Sequence, residues 1–181
     1  SKFIAYAIPI SSVDEVKPEV DKFRKEYYDA RHVCWAYMLG AERNDFRAND
    51  DGEPSGTAGK PILGQINSNG LTNILIVVIR YFGGIKLGTS GLIVAYKEAA
   101  AMAIAEAETV ERTVDCRISF TFAYPVMNDV MKIVKDMEPA MLDQHFDMDC
   151  RMTLEIRKAN FAEMKARLSK VEDLRFADDE M

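Results

Sequence analysis

An unbroken apolar run, Ile74 to Ile79, ends in Arg80-Tyr81-Phe82 and then in a glycine pair, Gly83-Gly84. A run of that length closed by glycines predicts a buried strand. Gly88-Thr89-Ser90-Gly91 then opens a segment rich in Ala, Leu, Met and Glu, which predicts a helix capped by Thr89 or Ser90. A strand that delivers a glycine-rich turn to a helix N-terminus collects unpaired backbone N–H groups and the positive end of the helix dipole, where an anion is stabilised. Arg80 and Lys86 add full charges beside Gly83, Gly84, Gly88 and Gly91. The same glycines also serve a tight turn with close helix packing, because glycine accepts positive φ without strain. The turn has neither the GxxxxGK[ST] nor the GxGxxG spacing, so a nucleotide cofactor does not follow from it.

Upstream of this unit, Lys2 to Ile10 predicts a first strand, and Ser12 with Glu15 makes a capping-box pattern for a helix over Val13 to Tyr28. His32 to Leu39 predicts a second strand, with His32 at its start a site candidate beside Arg31 and Trp35. The next stretch, up to Lys60, is polar and aperiodic and predicts a loop of about 20 residues, a length that signals function or mobility. Asp50, Asp51 and Glu53 crowd its dense part; they could bind a hard cation such as Mg2+, act as acid and base, or simply cap the following helix. Thr57 to Ser68 predicts that helix, with Pro61 in its first turn and Asn69-Gly70 at its end. The acidic loop and the glycine turn could then meet at one edge of the sheet.

From Glu111 the texture changes, and no glycine follows. Alternation predicts a strand over Val114 to Tyr124, a helix over Pro125 to Met137, a hairpin of Met141 to Phe146 with Cys150 to Arg157, a helix capped by Asn160, and a last strand at Val171 to Phe176. This βαββαβ order is ferredoxin-like. The fold expected is therefore α+β in two domains, residues 1–110 and 111–181, with a frayed tail from residue 177.

The net charge of -6 excludes a bulk polybasic protein, so any nucleic-acid binding must rest on a local patch. The three cysteines are dispersed and form no CxxC, which fits a reduced cytoplasmic setting. No apolar run approaches the length of a membrane span, and the N-terminus lacks the layout of a signal peptide, so a soluble intracellular protein is expected.

With both motifs in view, Asp50-Asp51-Gly52-Glu53-Pro54-Ser55-Gly56-Thr57-Ala58-Gly59 and Arg80-Tyr81-Phe82-Gly83-Gly84-Ile85-Lys86-Leu87-Gly88, followed by Gly91-Leu92 and Ala95-Tyr96, the sequence resembles the IMPACT family in its bacterial YigZ-type form. His32 and Tyr37 fit the family's short His-containing strand, and Ser90 stands where the family usually has glycine. The resemblance implies an N-terminal α/β layer like the second domain of a small-subunit ribosomal protein. It also implies a ferredoxin-like C-terminal domain resembling the last domain of the translocation elongation factor. Eukaryotic members restrain a stress-responsive initiation-factor kinase through its activator, whereas for bacterial members only RNA or ribosome binding is implied, by analogy of fold.

The leading expectation is a non-catalytic, translation-associated regulator that binds RNA, the ribosome or another phosphate-bearing partner. The residues expected to bind are His32, Arg80, Tyr81, Phe82, Gly83, Gly84, Lys86, Gly88, Thr89, Ser90 and Gly91, with Trp35 also available to stack on a base. One alternative is a Mg2+-dependent enzyme on a small phosphorylated or nucleotide substrate, using Asp50, Asp51 and Glu53. The other is a regulator that acts only through a protein partner.

Overall fold

A computed structural model describes residues 1–177; of the tail expected to fray, 177–181, residues 178–181 lie outside the described residues. The chain forms two compact units, which divide between Val110 and Glu111.

In the first unit, strand β1 (Lys2–Pro9) leads through a short 3-10 turn to helix α1 (Val16–Glu26), and strands β2 (His32–Leu39) and β3 (Asp45–Asn49) follow. Helix α2 (Gly59–Ser68), strand β4 (Ile74–Tyr81) and helix α3 (Gly88–Glu106) complete it. The strands form one antiparallel sheet in the order β1-β4-β2-β3. Helix α1 packs Val16, Val20 and Phe23 onto Leu75, Val77 and Ile79 of one face. On the other face α2 and α3 cover Ile76 and Val78 with Ile62, Ile66, Leu92 and Tyr96. β4 is thus an inner strand with apolar neighbours above and below, and this is why its sequence shows no alternation.

Strand β3 corrects the expectation of a long structureless loop. Its sequence, Asp-Phe-Arg-Ala-Asn, is polar because β3 lies at the sheet edge with most of its length exposed. Charged, short edge strands resist pairing with other chains, and that same property hides them from a hydrophobic-pattern reading. Helix α2 ends as expected, with Gly70 at φ +61 just past Asn69.

The second unit runs β5 (Asp115–Ala123), α4 (Met127–Met137), β6 (Ala140–His145), β7 (Asp149–Arg157), α5 (Lys158–Leu168) and β8 (Arg175–Phe176). Its antiparallel sheet has the order β6-β7-β5-β8, the ferredoxin-like arrangement. Helices α4 and α5 bury Val130, Ile133, Met164 and Leu168 against Phe120, Met152 and Leu154. Two details differ from expectation: α5 begins at Lys158, so Asn160 lies inside it, and the last strand shrinks to Arg175–Phe176. The whole is a two-domain α+β protein. No helix of the described residues is long and apolar enough to cross a membrane.

Candidate functional site

The loop between β3 and α2 turns back across the start of β2, and each of its three carboxylates finds a different partner. Asp50 accepts the backbone N–H groups of Gly56, Ala58 and Gly59 at 3.0, 3.2 and 2.8 Å, satisfying orphan donors where α2 begins. Asp51 takes both guanidinium ends of Arg24, at 2.9 and 3.2 Å, and the N–H of Val33 at 2.7 Å. Glu53 is held by Arg80, Nη1 to Oε1 2.6 Å, and the same oxygen lies 2.7 Å from His32 Nε2. The other ring nitrogen, Nδ1, is 2.7 Å from the Asp51 carbonyl oxygen. Gly52, at φ +83, lets the loop pass over the imidazole; a Cβ there would lie 3.5 Å from Nδ1.

This arrangement corrects the expectation that Asp50, Asp51 and Glu53 together hold a cation. Their carboxylates diverge toward a helix start, Arg24 and Arg80. Among the described residues no group of three His, Cys, Asp or Glu side chains could hold a metal ion. It also corrects the role expected of Arg80. Its side chain is only 8 % exposed and its charge is spent on Glu53, so it braces the turn from beneath rather than meeting an external phosphate. The acidic loop and the glycine turn do meet, through this pair, at the end of β4.

Beneath the loop lies a pair of groups that the sequence reading did not single out. Cys34 Sγ is 3.0 Å from the Asp50 carbonyl oxygen and 3.4 Å from the Tyr96 hydroxyl, and both side chains are fully enclosed. Burial pushes the Cys34 thiol up to about 12, with the Glu53, Asp51 and Asp50 charges adding to it. Burial first, and then Cys34, likewise raise Tyr96 far above its ordinary value. Neither group is an activated nucleophile. In the native protein Cys34 is expected to stay unmodified by iodoacetamide at pH 8 and to react once urea unfolds the chain, as read by peptide mass spectrometry. Labelling of native Cys34 at the rate of an unfolded thiol would contradict the closed cluster. Because its folded pKa is raised, Cys34 favours the fold below its ordinary 9.0, and that contribution is lost as pH climbs toward about 12.

The glycine turn itself is open, with residues 82 to 90 all exposed. Gly84 at φ +90 and Gly88 at φ +71 hold conformations that side chains rarely adopt. Gly83 packs so tightly on Ser1 that a Cβ would come within 2.4 Å of its backbone nitrogen. Helix α3 starts at Gly88, two or three residues earlier than a Thr89 or Ser90 cap requires; its cap position is Leu87, which makes no side-chain cap bond. Its first turn carries no acidic residue. Thr89 and Ser90 therefore sit inside that first turn, beside backbone N–H groups with no partner in the helix.

Phe82, 42 % exposed, closes the site on one side. The guanidinium groups of Arg31 and Arg80 lie over its ring at 5.6 and 5.7 Å from the centroid. Arg31, exposed and next to His32, is a candidate binding residue beyond those expected; its place beside a strand-initial histidine was the available signal. Tyr81 is turned aside, its hydroxyl donating to Asp29 at 2.8 Å. Trp35 pairs with Val77, well down β4 from the turn, and there stacks on Tyr37 beneath Arg47. It is not brought to the turn. The site as built is an exposed set of backbone donors with Lys86, Arg31 and one aromatic face around it, all resting on a closed ionic base.

The fold and these two motifs define a recognisable class. The Impact N-terminal domain model matches residues 1–104. The chain is 32 % identical over 171 residues to the IMPACT family member YigZ of Escherichia coli (strain K12), covering 93 % of this chain and 84 % of that one. It is 42 % identical over 112 residues to the IMPACT family member YvyE of Bacillus subtilis (strain 168), covering 62 % and 52 %. A solved structure described as the crystal structure of an hypothetical protein matches with a TM-score of 0.67 and 30 % identity, covering 99 % of this chain and 89 % of that one. The chain belongs to the IMPACT family, in its YigZ-type form.

Proposed function

We propose that this protein is a non-catalytic, translation-associated factor that binds RNA or another phosphate-bearing partner at the glycine turn. The observation that carries the reading is the exposed start of α3, free of side-chain caps and acidic residues, beside Lys86. An anion placed there gains the helix dipole, unpaired N–H donors and one full charge together. Phe82 flanked by Arg31 adds a face on which a base can stack. The link to translation rests on the family resemblance alone.

A binding role fits the base of the site better than catalysis. The loop carboxylates are engaged by Arg24, Arg80 and backbone donors, and burial keeps the nearby Cys34 thiol protonated. No group there is placed as a free base beside a free nucleophile.

An electrophoretic mobility shift with total cellular RNA and defined tRNA, at two salt concentrations, tests the proposal. The wild type should shift both and weaken with salt, by about 0.7 units of log affinity per log salt for each phosphate engaged. Lys86→Glu should lower affinity about tenfold or more and flatten the salt slope by about one. An absence of any shift at low salt, or equal binding by Lys86→Glu, would overturn it.

A further inference from the structure

β1 lies at the edge of its sheet, pairing with β4 on one side only. The Ile10 N–H donates to the Asn73 carbonyl, the next pair beyond Pro9 and Ile74 in the same register. Bonded pairs recur at every second residue of an antiparallel ladder. The backbone groups of Ile4, Tyr6 and Ile8 therefore face β4, and those of Phe3, Ala5 and Ala7 face the open edge. Pro9 falls in the outward set, the one place where a strand tolerates a missing N–H.

That open edge borders a groove of about 450 Å³, with Ser1 and Phe3 on one wall and Leu87 with Ser90, Gly91, Val94 and Glu98 of α3 on the other. Phe3, Ala5 and Ala7 turn their side chains to the α3 side, and two of the three are alanines. Phe3 is the β1 residue that lines the groove, and Leu87, Val94 and Ala95 form the apolar part of the opposite wall. The groove also has electrical polarity. Lys2 pairs with Tyr81, so the glycine turn and the positive start of α3 stand at the N-terminal end of β1, and Glu98 stands two turns further along.

We propose that this groove takes an extended segment of a partner protein, added to β1 as an antiparallel strand, with an acidic group at the start of α3 and a basic side chain opposite Glu98. Outward-facing N–H and C=O groups of a strand are matched by another strand's backbone, and RNA has no such alternating row. The half-exposed Val94 and Leu87 supply the apolar contact that edge pairing needs for affinity. Ser90 and Glu98 are separated by about 12 Å along the helix. That span corresponds to about four residues of extended chain, which sets the spacing between the basic and the acidic residue. An antiparallel strand carries its C-terminal end toward the glycine turn, so the basic residue comes first. The proposal goes beyond phosphate binding but meets it at one end, since Ser90 and Gly91 line the groove and Gly83 packs on Ser1.

The test uses the full chain and a phage-displayed library of random heptapeptides, followed by fluorescence anisotropy with the selected synthetic peptides. Selection should enrich a basic residue followed about four positions later by an acidic one, with β-branched residues between. Ala5→Pro removes an outward N–H without touching the ladder to β4, and Val94→Arg fills the helix wall. Each should weaken the selected peptides about tenfold or more, a hot-spot-sized loss. Ile93→Arg, exposed on α3 away from the groove, should leave binding and fold unchanged. No enriched pattern, or equal binding by Ala5→Pro and Val94→Arg, would overturn the proposal. So would a dimer of the protein alone that Ala5→Pro converts to a monomer, since the edge would then serve a second copy. Ala5→Pro should leave the RNA shift unchanged while it weakens the peptides, which separates strand addition from phosphate binding.

Discussion

Truncation of Glu53 to alanine is expected to cost about 3–5 kcal/mol of stability, the loss typical when one member of a buried ion pair is removed. The reason is Arg80: its side chain is 8 % exposed, Glu53 is its only anionic partner among the described residues, and His32 faces the same oxygen. Without the carboxylate, a guanidinium would remain in an apolar pocket between the rings of Phe3 and Phe82. Urea unfolding followed by Trp35 fluorescence, on neighbouring β2, reads the effect. A loss below about 1 kcal/mol would mean that Arg80 finds water and that the closed base of the site is misdescribed. The double variant Glu53→Ala with Arg80→Met should recover much of the loss, because two apolar groups leave no unpaired charge behind. That recovery is plausible here for a second reason: Glu53 Oε2 and Arg80 Nε lack hydrogen-bond partners among the described residues, so the native pair is itself incompletely compensated.

Asp50→Ala should be comparably damaging, at about 3 kcal/mol or more, by a different route. One carboxylate there accepts three backbone N–H groups, and hydrogen bonds to a charged group contribute about 1.5–3 kcal/mol each. Gly59 cannot shift to find another acceptor, since it already lies against β3: a Cβ on it would come within 2.6 Å of the Asn49 backbone nitrogen. Amide exchange should show residues 50 to 59 opening first, ahead of the sheet. Asp50→Asn retains one acceptor and should lie between alanine and wild type. Uniform exchange across the unit in Asp50→Ala would argue against a local role for the carboxylate.

Much of this molecule was legible in its residues. The apolar run of β4, the glycine-closed turn, the amphipathic spacing of α1 and the βαββαβ order of the second half all report local physics, which acts over a few residues at a time. The motifs that resemble the IMPACT family led to the right family for the same reason: they are contiguous. β3 stayed hidden because an edge strand with polar residues carries no periodic signal. The start of α3 was placed too late because two hydroxyl residues resembled a cap, while the backbone at Leu87 and Gly88 had already entered the helix.

The direction of each charged side chain was not legible. Asp50, Asp51 and Glu53 are adjacent in sequence, and adjacency suggested a shared ligand. Their partners, Gly59, Arg24 and Arg80, come from three elements brought together only when the sheet forms. Whether Arg80 faces solvent or a carboxylate depends on what packs over the end of β4, which lies 27 positions away in the chain. The open edge of β1 belongs to the same kind of fact. Strand order decides which strand is left unpaired, and hydrogen bonds across a sheet join residues whose separation in sequence carries no signal in composition or period. The sequence alone determined most of the elements, the fold class and the glycine turn; the tertiary structure alone decided which charges neutralise one another and which backbone groups remain free to bind.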